Sequence, residues 1–283
     1  MFGEERRKLL KLKEILKEMG SALVAFSGGA DSAFLLKVAR DVLGERVVAA
    51  TARSPIFPDR EYREAESIAR ELKVRLIPVF TSELSKPEFV RNDPERCYWC
   101  KRELFERLSE IARREGVRWI ADGTNSEDLL DFRPGRKAAL EYGVRSPLSE
   151  AGLTKDEIRI LSRELGLPTW NKPPFACLAT RIPYGVPISE EILERVNRAE
   201  EFLLSLGFRQ VRVRHHGEIA RIEVEIEDMN ALILRRNEIA EHLRKLGYTY
   251  ITLDLEGYRS GSLNRSLQKG KNASGRAARP LDL

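Results

Sequence analysis

The sequence predicts an α/β protein, a parallel sheet with helices on both faces, followed by a smaller α+β domain. Short apolar runs alternate with helical patterns over the first two thirds of the chain. The order then changes to a strand pair flanked by helices. The length of 283 residues, with 42% hydrophobic side chains, also suits one full core plus a lesser one.

The elements follow in order. MFGEERRKLLKLKEILKEMG reads as an amphipathic, charged helix, and Ala22 to Phe26 as a buried parallel strand. A helix is expected from Asp31 to Leu43, a strand from Arg46 to Ala50, a helix from Asp59 to Leu72 and a strand from Val74 to Val79. A long helix from Tyr98 to Glu115 and a strand from Val117 to Ala121 come next. Such alternation implies right-handed crossovers. LTKDEIRILSRELGLP is one more helix, with Thr154 and Glu157 as a capping box. Beyond it the spacing predicts a helix from Ser189 to Leu206, strands at Phe208 to His215 and Ala220 to Ile226, a helix from Met229 to Leu246 and a strand at Tyr248 to Asp254. The expected domains are 1–182 and 189–265, with a basic, flexible tail at 266–283.

Composition excludes several classes. No apolar run reaches bilayer length and the first helix has no apolar signal core, so a cytoplasmic protein is expected. In that reducing compartment, 3 cysteines point to metal binding or chemistry and not to a disulfide framework. The net charge of +5 is modest and no nucleic-acid partner is expected. Charged residues at 33%, with Gln only at positions 210 and 268, resemble a thermophile's composition.

Two motifs carry the chemistry. Phe26-Ser-Gly-Gly-Ala-Asp-Ser32 sits between a strand and a helix, where glycines admit an anion to backbone N–H groups at a helix N-terminus. It lacks the Gly-Lys-Ser/Thr of γ-phosphate transfer loops and the Gly-x-Gly-x-x-Gly of dinucleotide folds. The second motif is PERCYWCK, whose Cys97 and Cys100 are joined at a distance by Cys177 in PPFACLATRIPYG. A Cys-x-x-Cys pair turns both sulfurs to one side, and three thiolates on a 4Fe-4S cluster leave one iron without a protein ligand, open to carry something else. Zinc and three inert core thiols are the alternatives.

The Ser27–Ser32 string resembles the pyrophosphate loop of the N-type ATP pyrophosphatases, a Rossmann-like fold that splits ATP into AMP and pyrophosphate. DGTNSEDLLDFRPG, SPLSEAGLTKDEIR, LGLPTWNKPPFACLATRIPYG, RVRHHGEIARIEV and GYRSGSLN, in that order, resemble the LarE family of ATP-dependent sulfurtransferases over nearly the whole chain. That family turns the carboxylates of pyridinium-3,5-biscarboxylic acid mononucleotide into thiocarboxylates for the nickel-pincer nucleotide cofactor. The resemblance implies that Gly28, Gly29 and Ser32, with Ser27, hold pyrophosphate and that Asp31 binds Mg2+. It leaves open whether Glu127 or Asp128 helps. In some members the residue matching Cys177 is itself the sulfur donor and is consumed, and such members need no Cys-x-x-Cys partner.

Topology puts Thr51, with Ala52 and Arg53, and Asn125 at the ligand edge of the sheet. Arg212 and Arg214 share a strand face by period two, either as a salt-bridge ladder with Glu223 and Glu225 or, as the resemblance implies, as donors to the substrate phosphate. Arg181 is placed near the sulfur to hold a substrate carboxylate, Trp99 either stacks on the pyridinium or packs, and Lys101 flanks the thiols. The competing functions are a tRNA-thiolating enzyme, an ammonia-using synthetase and a non-enzymatic ATP- or metal-binding protein. Family resemblance also implies a homo-oligomer, a hexamer.

Overall fold

A computed structural model of the chain describes residues 3–129, 134–259 and 261–264. The backbone separates into two compact units. One holds the chain up to Cys177 together with Pro187–Glu190, and the other holds Leu178–Val186 and the chain from Glu191 onward.

The first unit runs α1 (Glu4–Met19), β1 (Ala22–Ala25), α2 (Ala30–Leu43), β2 (Val47–Arg53), α3 (Asp59–Glu71), β3 (Leu76–Phe80), α4 (Pro87–Val90), α5 (Arg96–Arg114), β4 (Trp119–Ala121), α6 (Gly135–Glu141), α7 (Pro147–Ala151) and α8 (Lys155–Glu164). Its sheet has the order β3-β2-β1-β4 and every pairing is parallel. The apolar runs are continuous because both faces are covered. Ala22 and Val24 of β1 pack into a core with α1, α2, α3, α7 and α8. Leu23 points the other way, into a core with α5 and α6. The chain leaves β1 for β2 on one side and returns to β4 on the other, which creates a switch point at the carboxyl ends of β1 and β4, where open α/β sheets take ligands.

The second unit contains α9 (Glu190–Ser205), β5 (Val211–His216), β6 (Ile219–Val224), α10 (Met229–Leu234), α11 (Arg236–Lys245) and β7 (Tyr250–Leu253). β5 and β6 form an antiparallel hairpin, and β7 lies parallel to β6, an arrangement that needs the long crossover which α10 and α11 provide. One apolar core joins Val211 and Val213 to Ala199, Leu203, Ile239 and Leu243.

Three expectations need correction. The second strand continues to Arg53, three residues beyond its predicted end, because its pairing with β3 runs to Arg53↔Phe80. The first hairpin strand starts at Val211, since Phe208 is spent on the core before the pairing begins. The single helix expected from Met229 to Leu246 is two, parted at Arg235, whose backbone leaves the helical region (φ −96, ψ 12) while its Nη1 donates to Leu206 O at 3.0 Å. The tail expected at 266–283, and residues 130–133 of DGTNSEDLLDFRPG, lie outside the described residues.

Candidate functional site

The phosphate loop is built as its spacing requires. Gly28 has φ +73, and a Cβ there would stand 3.1 Å from the Ala65 Cβ, so both backbone conformation and space select glycine. The Ser32 hydroxyl, at the start of α2, accepts from Ser27 N–H (3.3 Å), lies 3.0 Å from Ser27 Oγ and donates to Gly29 O (3.1 Å). Ser27 Oγ accepts in turn from Gly29 N–H (3.3 Å). The loop is thereby curled around the helix N-terminus before any anion arrives. Gly123 closes it from the β4 side, because a Cβ there would lie 3.0 Å from Ser32 N. Thr51 is buried and its hydroxyl donates to Phe26 O at 2.7 Å, so this side chain braces the strand end that carries the loop.

Acid groups meet the same helix end. Asn125, fully buried, donates to Asp31 Oδ2 at 3.0 Å while its own oxygen accepts from the N–H groups of Glu127 and Asp128. Burial pushes the Asp31 carboxyl above its ordinary value; Asn125 opposes this, the charge of Asp128 adds to it, and Lys155 and Arg159 oppose it. Asp128 is buried, accepts from Asn125 N–H at 3.3 Å and pairs with Lys155 at 3.1 Å. Glu127 instead is exposed and accepts from Lys155 N–H at 3.1 Å, a cap on α8. Of the two acids, Asp128 is the one whose charge bears on Asp31.

Sequence reasoning missed Lys172. Its Nζ donates to Gly28 O (3.3 Å) and pairs with Glu61 (3.0 Å) and Glu64 (2.9 Å) of α3, and its own carbonyl accepts from Arg159 (3.3 Å). The signal available was a lone lysine before Pro173-Pro174, on the approach to Cys177.

All three thiols are reduced and half-buried, and all belong to the first unit. Cys97 and Cys100 lie in the first turn and a half of α5. Gly135 lets α6 approach that turn: a Cβ there would stand 2.8 Å from Lys101 Cγ and 3.3 Å from Cys97 O. Burial drives the Cys100 thiol well up, the Glu83 carboxylate adds to this, and the charges of Cys177 and Cys97 add further, with Lys101 opposing. The charges of Cys97 and Cys177 thus bear on Cys100, together with that of a carboxylate that the sequence did not single out. Cys100 Sγ donates to Glu83 Oε1 at 3.8 Å. Three thiols with a buried acid are a donor set suited to iron and sulfide. Among the described residues no three His, Cys, Asp or Glu side chains are grouped so as to hold a metal ion as they stand. Trp99 meets Tyr98 edge-on (5.0 Å) with Arg102 over its ring, and the exposed Lys101 extends over Phe105.

The arginines gather in the second unit. Arg181, 0% exposed, grips Glu200 with Nε and Nη2, both at 2.9 Å, and Glu200 Oε1 also accepts from Val213 N–H. Its fork is thus engaged by a protein carboxylate and not displayed for a substrate's. Arg214 grips Glu223 likewise (2.9 and 2.8 Å) and donates to Thr180 O and Ser262 Oγ. Arg212 stands opposite Glu223 in register and over the Tyr258 ring, and burial beside the charge of Arg181 brings its guanidinium down to about 10. Among these named groups three guanidiniums face two carboxylates, a surplus of positive charge out of water. Glu225 lies beyond the end of β6 and is no rung of that ladder.

No family model matches this chain. An uncharacterized protein of Synechocystis is 44% identical over 93% of this chain and 98% of its own length. The pyridinium-3,5-bisthiocarboxylic acid mononucleotide synthase of Lactiplantibacillus plantarum is 40% identical over 92% of this chain and 94% of its own. The chain belongs to the LarE family. LarE proteins are ATP-dependent sulfurtransferases, and so is this enzyme. A more distant likeness, to a glutamine-hydrolyzing GMP synthase polypeptide of Archaeoglobus fulgidus, is 31% identical over 68% of this chain and 67% of the relative. It places LarE among enzymes that share the phosphate loop and use ATP. No described helix is long and apolar enough to cross a membrane.

Proposed function

We propose that this LarE protein converts the carboxylates of pyridinium-3,5-biscarboxylic acid mononucleotide to thiocarboxylates through an acyl-adenylate, drawing sulfur from an inorganic centre held by Cys97, Cys100 and Cys177. The observation that carries the reading is that all three thiols lie in the unit that also bears the phosphate loop, with Cys97 and Cys100 one turn apart on α5. A 4Fe-4S cluster, when bound, supplies an iron without a protein thiolate, on which sulfide can be carried.

The chain's own residues divide the work. Gly28, Gly29 and Ser32, with Ser27, offer the curled loop to the β- and γ-phosphates, and Asp31 with Asp128 takes the Mg2+ that eases pyrophosphate departure. Asn125 holds Asp31 in place, and Thr51 braces the loop. A substrate carboxylate oxygen attacks the α-phosphorus, pyrophosphate leaves, and the acyl-adenylate then accepts sulfur with loss of AMP. Arg212 receives the substrate phosphate, where a planar donor in a dry site binds strongly, and Arg214, its fork engaged by Glu223, adds its charge beside it. Arg181 acts through Glu200, fixing the strand that carries them. Trp99 and Lys101 border the thiols on the substrate's side. The enzyme works as a homo-oligomer in the cytoplasm, which size-exclusion chromatography with light scattering and cell fractionation would check.

The test is anaerobic reconstitution followed by assay of iron and acid-labile sulfide per chain. About four irons in the wild type, lost in Cys97→Ser, is the expected result. No iron in either protein overturns the inorganic centre. A second reading, in which the Cys177 thiolate attacks the adenylate and is consumed, is favoured by the lack of a preformed donor group among the described residues. It requires the chain to lose the mass of hydrogen sulfide after one turnover, whereas the first leaves the intact mass unchanged.

A further inference from the structure

Lys172 stands 144 positions from Gly28 in the chain, yet its Nζ donates to Gly28 O at 3.3 Å. The same ammonium pairs with Glu61 at 3.0 Å and Glu64 at 2.9 Å, both on α3. An ammonium has three N–H donors and three acceptors meet it here, so it is held from three sides. Its backbone is held as well, because Arg159 of α8 donates to Lys172 O at 3.3 Å. Further along the same segment, Arg60 of α3 lies over the Phe175 ring at 5.9 Å. The Ser27–Ser32 string has no basic side chain of its own, and this segment brings it one.

The contact falls on the joint of the loop that is freest to turn. Gly28 has φ +73 and is followed by a second glycine, and glycine takes positive and negative φ with similar ease. In a trans peptide the carbonyl and the next N–H point opposite ways. A hold on Gly28 O therefore also fixes Gly29 N–H, which donates to Ser27 Oγ at 3.3 Å. Were that peptide to turn over, an acceptor would stand where the loop now has a donor, and an anion is met with donors. We propose that Lys172 is a positioning residue for the pyrophosphate end of ATP, locking the Gly28–Gly29 peptide in the orientation that accepts an anion. This rests on the reading of Ser27–Ser32 as the phosphate loop. The effect falls on the β- and γ-phosphates and not on AMP, which lacks the groups that the loop would hold.

Isothermal titration of the full-length protein with inorganic pyrophosphate and Mg2+, and separately with AMP, tests this. Lys172→Met removes the donor and the charge but keeps an unbranched stem. It should bind pyrophosphate about tenfold more weakly or worse, with AMP affinity unchanged. Undiminished pyrophosphate affinity, or an equal loss for AMP, overturns the inference, the second because it marks a general structural fault. The variant that adds Glu61→Gln and Glu64→Gln to Lys172→Met removes the carboxylates that the lost ammonium would leave unpaired, and the loss should persist in it. Wild-type affinity there overturns the inference, since repulsion from α3 would then be the cause. If Lys172→Met does not fold, as judged by circular dichroism, this triple variant decides alone. A wild type that binds no pyrophosphate, or undiminished affinity in Ser32→Ala, overturns the reading of the loop itself, a result distinct from the others.

Discussion

Gly123 has no chemistry of its own, yet it decides how closely β4 can approach the phosphate loop. Gly123→Ala would press a methyl against Ser32 N at 3.0 Å and move the backbone that faces the phosphates. We expect ATP affinity to fall more than tenfold with thermal stability little changed, as isothermal titration and a melting curve would show. Gly28→Ala differs, because its positive φ and the Ala65 contact act on the fold as well; about 1–3 kcal/mol of stability should be lost. Glu200 gives a pH signature. Burial raises its carboxyl, but the Arg181 charge and hydrogen bonds, the charge of Arg212 and the Val213 N–H together hold it below the ordinary value. A depressed carboxylate contributes stability above its unfolded pKa of roughly 4.3 and loses it as pH falls through the folded value. Melting temperature should therefore drop on acidification below about pH 4, and Glu200→Gln should flatten that dependence while costing about 3–5 kcal/mol at neutral pH.

At the scale of elements, α8 separates two neighbouring acids. Thr154 and Glu157 complete the predicted capping box, and Glu127 adds a further acceptor at the same end. Glu127→Ala should cost roughly 1 kcal/mol and leave Mg2+-dependent ATP binding intact, whereas Asp128→Asn should weaken that binding with little loss of stability. Calorimetry with and without Mg2+ separates the two. The elements themselves were legible because buried parallel strands are unbroken apolar runs and because caps and glycines punctuate the helices. Candidate site positions stood out in the sequence only where the residue type or spacing is chemically particular, as at Gly28, Gly29 and Cys97-x-x-Cys100. Glu83, Lys172 and Glu200 did not, since an isolated charged residue reads as solvated surface until tertiary contacts bury it. The Arg181–Glu200 pair was hidden for the same reason, its members lying nineteen positions apart on different elements.

For the molecule as a whole, the chain leaves the first unit after Cys177, returns for Pro187–Glu190 and leaves again. Ile188, 2% exposed, donates its N–H to Val90 O at 2.9 Å within that first unit. A fragment ending at Glu190 should therefore be more stable than one ending at Cys177, by roughly 2–4 kcal/mol for a lost buried isoleucine and its hydrogen bond. Denaturant melts of the two fragments measure this.

The spacing of the thiols along the chain has a thermodynamic side as well. Any inorganic group joining Cys97 to Cys177 would tie together points about 80 residues apart, and a crosslink of that span removes unfolded-state entropy worth about 4.5 kcal/mol. The sulfur centre would then act as a staple on the first unit, and its destruction by oxygen would register as lost resistance to heat before any assay of product.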